Sequence, residues 1–410
     1  MSTLLLLQRA LRVDDNPALN RVTGIDGVII ASPQGLSSTT PLAATAPFPA
    51  SGHGLRFRRQ CLDDLNAALQ RYRQALVVLA DDQLATLLDF LARHQITRLV
   101  MDPCPDPQRQ RTLEQSLKEA IPGLRIEAID CNSLFSAAEA GLDADSLPQV
   151  FSQFRRHIER RSPQVAVQSA KPAALPLGKG DTSDRFSGGE QAGLAHLHRY
   201  LFVDRHVSHY KDTRNGLLND SDGSRLSVWL AHGALSPRRI WSELDRYVAL
   251  YGEDKHTTWL RVELWWREFF RMNLALKGAA IYLRETALPA LSDDARQRLQ
   301  RWQQGRTGVP FVDANMIELR RTGYMSNRGR QNVASYLIHD LHVHWLHGAA
   351  WFERQLIDFD LASNLGNWAY IAGCGHDVRP CRRFNIDKQA REYDPDGAYV
   401  RHWLTSADVS

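Results

Sequence analysis

In "LIDFDLASNLGNWAY", Leu356 to Tyr370, two aspartates, two asparagines, a serine and a tryptophan are threaded through an apolar frame. Short polar side chains are costly to bury unless each meets a partner, and composition alone does not say what these would meet. A second concentration lies in "RVELWWREFFRMNLAL". At helical spacing Val262, Trp265, Phe269 and Met272 form one stripe, and Glu263, Trp266, Arg267 and Phe270 form the neighbouring one. The first stripe is a core face. The second sets a carboxylate and a guanidinium beside two aromatic rings. It is either a binding face or an i, i+4 surface pair of Glu263 and Arg267 next to a half-buried ring.

Two further stretches suit anions and ring heteroatoms. In "RTGYMSNRGRQNVASYLIHDLHVHW", Ser326 is a fitting N-cap, and Asn327, Arg328, Arg330 and Gln331 crowd the start of the helix that follows. In "HYKDTRNGLLNDSDGSRLSVWLAHGALSP", a glycine, serines and Arg225 immediately precede an apolar helix. Those residue types present N–H and hydroxyl groups to phosphate. The histidines His339, His342, His344 and His347 have no carboxylate or cysteine to complete a zinc set, so no metal site is expected.

The elements that must hold these residues fall into two classes. Short apolar runs at 3–7, 27–30, 75–80, 97–102 and 124–130 read as buried strands, with helical patterns at Arg56–Tyr72, Gln83–His94 and Pro107–Ala120 between them. That alternation predicts a doubly wound, Rossmann-like parallel sheet over residues 1–130. No GxGxxG or GxxxxGK[ST] follows the first strand, so a nucleotide belongs elsewhere. From 131 to 190 periodicity fades into a linker rich in proline, glycine and serine. Residues 191–410 read as helix after helix.

Composition restricts the class further. The chain is 43% hydrophobic and 23% charged, which suits a folded, water-soluble protein of two domains. A net charge of +4 is too small to argue for nucleic acid by itself. Five cysteines without a CxxC pair point to a reducing compartment rather than to a disulfide scaffold. Four leucines before Gln8 are too short for a signal peptide or a membrane span, so a cytoplasmic monomer is expected.

The motifs "TRNG", "SRLSVWLAHGALSPR", "ELWWREFF", "WQQGRTGVPFVDANMIELRRTGYMSNRGRQNVASYL", "LIDFDLASNLGNWAY" and "FNIDKQAREYDPDGAYVRHW" occur in this order over residues 200–403. As a series they resemble the photolyase and cryptochrome flavoproteins, and Gln331, Tyr370 and "KQAREYDPDGAYV" resemble the cryptochrome DASH branch. The resemblance implies a U-shaped FAD held in the helical domain. Tyr210 and Arg214 would border it, and Ser224, Arg225, Leu226 and Ser227 would receive its pyrophosphate. Glu263, Arg267 and Asn327 would line the adenine and flavin pocket. Asp358 would pair with Arg330, Asp360 would hydrogen-bond the flavin, and Asn364 would face its N5.

The activity implied is that of a deoxyribodipyrimidine photolyase, in which light-excited reduced FAD splits cyclobutane pyrimidine dimers. A flipped-out lesion would meet Trp266 and Tyr370 as aromatic walls and Glu263, Asn327 and Gln331 as hydrogen-bonding groups. Single-stranded DNA would be the easier substrate, with Arg328, Arg379, Arg382 and Arg383 available to phosphates. The alternative is a cryptochrome-type blue-light receptor or DNA-binding regulator. The sequence ends 21 residues after "FNIDKQ", without the long polar tail of signalling cryptochromes, and this favours repair.

Two departures from the family pattern matter. Trp368 and Trp345 match the first two members of the tryptophan chain that reduces the flavin, whereas no aromatic stands near Ser292 for the third. Either Trp351 or Tyr324 completes the route, or photoreduction is slow. Near the N-terminus "LRVDDNPAL" is kept, but Gln8, Arg9 and Ala10 replace the usual arginine, asparagine and aspartate. A folate antenna, methenyltetrahydrofolate, is usual in the branch, and "LPQVFSQFRRHIE" resembles its linker segment. An empty cleft is the alternative.

Overall fold

A computed structural model describes residues 2–22, 27–31, 51–167, 186–282, 288–375 and 382–405. Arg379 and Cys381 lie outside these residues. Five parallel strands, β1 (Thr3–Leu7), β2 (Gly27–Ala31), β3 (Leu76–Val78), β4 (Arg98–Met101) and β5 (Arg125–Ala128), are arranged in the order β3-β2-β1-β4-β5. Thr3 pairs with Gly27 on one side and Arg98 on the other, so β1 is the central strand. Strand alternation divides its leucines between two cores. Leu4 and Leu6 pack with Leu87, Leu91, Leu113 and Leu117 from the helices Leu84–Arg93 and Pro107–Ala120. Leu5 and Leu7 join Phe57, Cys61 and Leu65 of the helix Gly52–Gln70 in a core that continues into the second domain.

Residues 131–167, the first part of the stretch read as a linker, are more ordered than their composition suggests. A helix spans Phe151–Arg161, and its stripe of Phe151, Phe154 and Ile158 is buried. Those three residues recur at i, i+3 and i+7, so a one-sided apolar face was present among the arginines. Beyond Glu190 every described regular element is a helix. The ones that matter for the site are Ser227–His232, the long helix Lys255–Lys277, Asn327–His339, Trp345–Gln355 and Leu361–Ala372. Among the described residues, no helix is long and apolar enough to cross a membrane.

The retained "LRVDDNPAL" motif fastens the sheet to the helices. Arg12, 1% exposed, donates to Asn132 Oδ1 and the carbonyl of Gly233, both at 2.9 Å. Asp15 pairs with Arg238 at 2.8 Å, and Asp14 with Arg239 at 2.7 Å. The buried Glu190 carboxylate accepts the N–H groups of Val13 and Asp14 at 2.9 and 2.7 Å. Buried charges on this scale are tolerated because each meets an opposite charge or a backbone dipole.

Candidate flavin and lesion cavities

A cavity of about 300 Å³ opens among the helices of the second domain. It is lined by every residue expected to hold the cofactor: Tyr210, Arg214, Ser224, Arg225, Leu226, Ser227, Glu263, Arg267, Asn327, Arg330, Asp358, Asp360 and Asn364. Sequence distances of up to 154 residues separate them, and the fold brings them around one cavity. Trp368 and Tyr324 line it too.

The loop before Ser227 has the geometry of an anion cradle. Gly223 has φ +72° and Arg225 φ +53°, a left-handed conformation that an arginine adopts only when its surroundings impose it. The Arg225 guanidinium donates to Asp220 at 2.6 Å and to the Asn219 carbonyl at 2.7 Å. Its buried Nε has no hydrogen-bond partner. On the facing wall Ser326 caps the helix Asn327–His339 by accepting the Gly329 N–H at 3.0 Å. Asn327 thus sits at the first position of that helix, and Arg330 reaches back to Asp358.

That pair anchors the cavity. Arg330 Nη2 lies 2.9 and 2.8 Å from the two Asp358 oxygens, and Ser227 Oγ donates to Oδ2 at 2.7 Å. Burial would lower the Arg330 guanidinium, but Asp358 outweighs it and holds it above the usual range. Asp360 caps the helix Leu361–Ala372 by accepting the N–H and hydroxyl of Ser363 at 2.9 and 2.8 Å. Burial would raise its carboxyl, but Arg267, Arg271 and Arg9 together hold it below the ordinary range. Asn364 donates to the Ala349 carbonyl at 3.0 Å, which leaves its side-chain oxygen for the cavity.

The i, i+4 pair of Glu263 and Arg267 is not formed. Glu263 meets Arg214 at 2.8 Å, and Arg267 meets its neighbour Glu268 at 2.7 Å and the Asn132 carbonyl at 2.8 Å. Local spacing gave way to partners brought in from other elements. Burial raises the Glu263 carboxyl, opposed by Arg214. On the stripe assigned to the core, Val262, Phe269 and Met272 are buried, whereas Trp265 is only partly so and stands against Trp241.

A second pocket of about 250 Å³ adjoins the first and shares Arg214, Glu263, Arg267, Asn327, Gln331, Ser363 and Asn367 with it. Trp266, Phe270 and Tyr370 complete its walls. Trp266 and Tyr370 meet edge to face at 6.3 Å, and Phe151 stacks flat on Trp266 at 3.7 Å. Arg382 lies 4.2 Å over the Tyr370 ring. Arg328 is held by Asn215 at 3.1 Å and lies 4.6 Å over Tyr393. Arg383 is exposed and pairs with Asp340. Asn367, on both cavities, and Phe151 were given no role from sequence. Asn367 stands in the quoted motif one turn after Asn364, a signal that could have found it.

Trp368 is 2% exposed and meets Trp302 and Phe352 edge to face at 6.3 and 5.0 Å. Its ring lies so close to Gly348 that a Cβ there would be 2.2 Å from it. Trp345, three residues before Gly348 and away from the cavity, opens the same helix. The histidines are spent individually: His339 on the Ile371 carbonyl, His347 on that of Pro289, and His344 on the Leu346 N–H.

A family model described as DNA photolyase matches residues 3–175, and one described as the FAD binding domain of DNA photolyase matches residues 259–408. A cryptochrome DASH of Idiomarina loihiensis is 36% identical, over 98% of this chain and 92% of that protein. The chain belongs to the photolyase and cryptochrome family, in its cryptochrome DASH branch. Its fold agrees with a Synechocystis sp. PCC6803 cryptochrome at a TM-score of 0.83 and 32% identity, over 98% of this chain and 88% of that one. A class III photolyase of Agrobacterium tumefaciens follows at 0.77 and 25%, over 98% and 86%. Cryptochrome DASH proteins of this family carry an FAD-binding domain, and the cavity fits that cofactor. A loop with an orphan guanidinium nitrogen suits the pyrophosphate, and apolar walls from Leu230, Leu260, Leu264 and Phe352 suit flat rings.

Proposed function

We propose that the protein is a light-driven lyase that repairs cyclobutane pyrimidine dimers, preferentially in single-stranded DNA. The observation that carries this is the shared wall between the two pockets: two linked pyrimidine rings in the outer pocket would stand against whatever fills the inner one. When bound and reduced, FAD supplies the electron that opens the cyclobutane ring after light absorption. The chain's own residues do the rest. Trp266 and Tyr370 offer apolar faces to an extruded lesion, and Glu263, Asn327 and Gln331 offer hydrogen bonds to base edges. Burial raises the Glu263 carboxyl against the pull of Arg214, and the side chain stands on the wall of the outer pocket, where it can hydrogen-bond a base edge. Arg330 and Asp358 hold the cofactor's surroundings rigid, so little reorganisation is required when light arrives. Arg328, Arg379 and Arg382 are assigned to the DNA backbone, and Trp368 and Trp345 to electron supply.

The reading extends to a cytoplasmic monomer and to a folate antenna. The folate is supported by the resemblance of the segment around Phe151–Arg161, and chromatography of the chromophores released on denaturation tests it. For the main reading, purified protein with prereduced FAD is incubated with a dimer-bearing oligonucleotide, single- or double-stranded, in blue light and in darkness. Light-dependent loss of dimer is expected, faster on the single strand. Glu263→Ala and Asn327→Ala are expected to weaken repair while leaving FAD at least partly bound. No light-dependent loss of dimer would overturn the reading in favour of a photoreceptor.

A further inference from the structure

In open doubly wound sheets the ligand crevice lies at the C-terminal strand ends where strand order reverses. Here that point is between β1 and β4, and protein fills it. Asp102, directly after β4, accepts the Gln8 and Arg9 N–H groups at 2.5 and 2.6 Å, and its carbonyl accepts Gln8 Nε2 at 3.0 Å. The carbonyl of Arg9 is pressed against Gly233 of the helical domain, where a Cβ would lie 1.5 Å from it. The backbone at position 9 is therefore pinned from both domains. From this fixed base the Arg9 side chain reaches Asp360, which lines the flavin cavity. Its Nη1 is buried without a hydrogen-bond partner, 3.8 Å from Asp360 Oδ2. Asp360 spends Oδ1 on Ser363, so Oδ2 faces the cation. The other two nearby cations are engaged elsewhere: Arg267 with Glu268, and Arg271 with Asp130 at 3.5 Å and Ser133 at 3.4 Å.

We propose that Arg9 is a positioning residue for the cofactor: the sheet's switch point delivers a cation behind Asp360, orienting that carboxylate and setting the potential at the bound flavin. The inference rests on the assignment of FAD to this cavity. It gives a role to a departure from the family pattern at position 9. Reduction adds negative charge to a flavin, so a buried cation nearby makes reduction easier.

The test is a redox titration of the FAD-loaded protein. Arg9→Gln and Arg9→Met each shift the flavin midpoint potential to more negative values, Arg9→Lys shifts it less, and the visible band of the oxidised flavin changes in the same order. In Asp360→Asn the further change Arg9→Met has a smaller effect than in the parent, because the two act as a pair. Equal potentials in parent, Arg9→Gln and Arg9→Met overturn the proposal, as does an Arg9→Lys shift as large as that of Arg9→Met. Should the neutral variants fail to fold, Arg9→His decides it: a midpoint potential that does not become more negative, relative to the parent, as pH rises through the titration of that imidazole refutes the proposal. A parent protein that takes up no FAD would refute the cavity assignment instead, a distinct outcome.

Discussion

Replacing Asp358 by asparagine keeps the shape of the side chain and removes its charge. In the parent both oxygens lie within 2.9 Å of Arg330 Nη2, and the two side chains are 2% and 24% exposed. Removing one partner of a buried pair typically costs about 3–5 kcal/mol, because the remaining charge is stranded. Arg330 keeps its bond to the Met325 carbonyl and some access to water, and an asparagine oxygen still accepts from Ser227. The cost expected for Asp358→Asn is therefore near the lower end, about 3 kcal/mol. Urea unfolding of the flavin-free protein measures it as a lower midpoint at unchanged slope. Removing the flavin matters, because any loss of FAD affinity would add its own loss of stability. A cycle with Arg330→Gln isolates the pair, with a coupling of about 2 kcal/mol expected. A single-variant cost below about 1 kcal/mol, with coupling near zero, would refute the view that this pair anchors the cavity.

Three further expectations follow from the same geometry. Burial moves the Glu190 carboxyl from 4.5 to about 7, against the opposing pull of the Val13 and Asp14 N–H groups. The folded state keeps that proton where the unfolded chain has lost it, so stability falls by about 3 kcal/mol as pH rises from about 4.5 to 7. Glu190→Gln removes that component, and identical pH dependence of urea unfolding in the two proteins would count against it. Gly348→Ala pushes a methyl into the Trp368 ring, and calorimetry should show a cost of about 1–3 kcal/mol. With no aromatic near Ser292, flavin photoreduction in an external donor is expected to be slow while repair after chemical reduction is intact; fast photoreduction that survives Trp351→Phe and Tyr324→Phe would contradict it.

The strands were legible because their signals are local, whereas most of the cavity residues, and the pairing of Arg330 with Asp358, came from the family resemblance. An apolar run such as Thr3–Leu7 needs no knowledge of its neighbours to read as a buried strand, and Ser326 announces its helix from three residues away. What could not be read was pairing across the fold. Glu263 has a tempting partner one turn on, yet its carboxylate meets Arg214 on another element. Arg9 and Asp360 are 351 positions apart, and nothing in either motif names the other. The arginines and glutamate of Phe151–Arg161 hid a three-residue apolar stripe inside a stretch that otherwise looks like linker.

That stripe begins with Phe151, whose ring covers one side of the Trp266 indole. On the proposed reading an arriving base would have only the opposite side to use, and it would meet a ring already packed on one face. Little side-chain freedom is left to surrender on contact, which favours tight capture of a flat guest. The connector between the two domains thus acts as the backing plate of the slot, so alterations to it should register as changes in how tightly the slot grips, even though they never touch the guest.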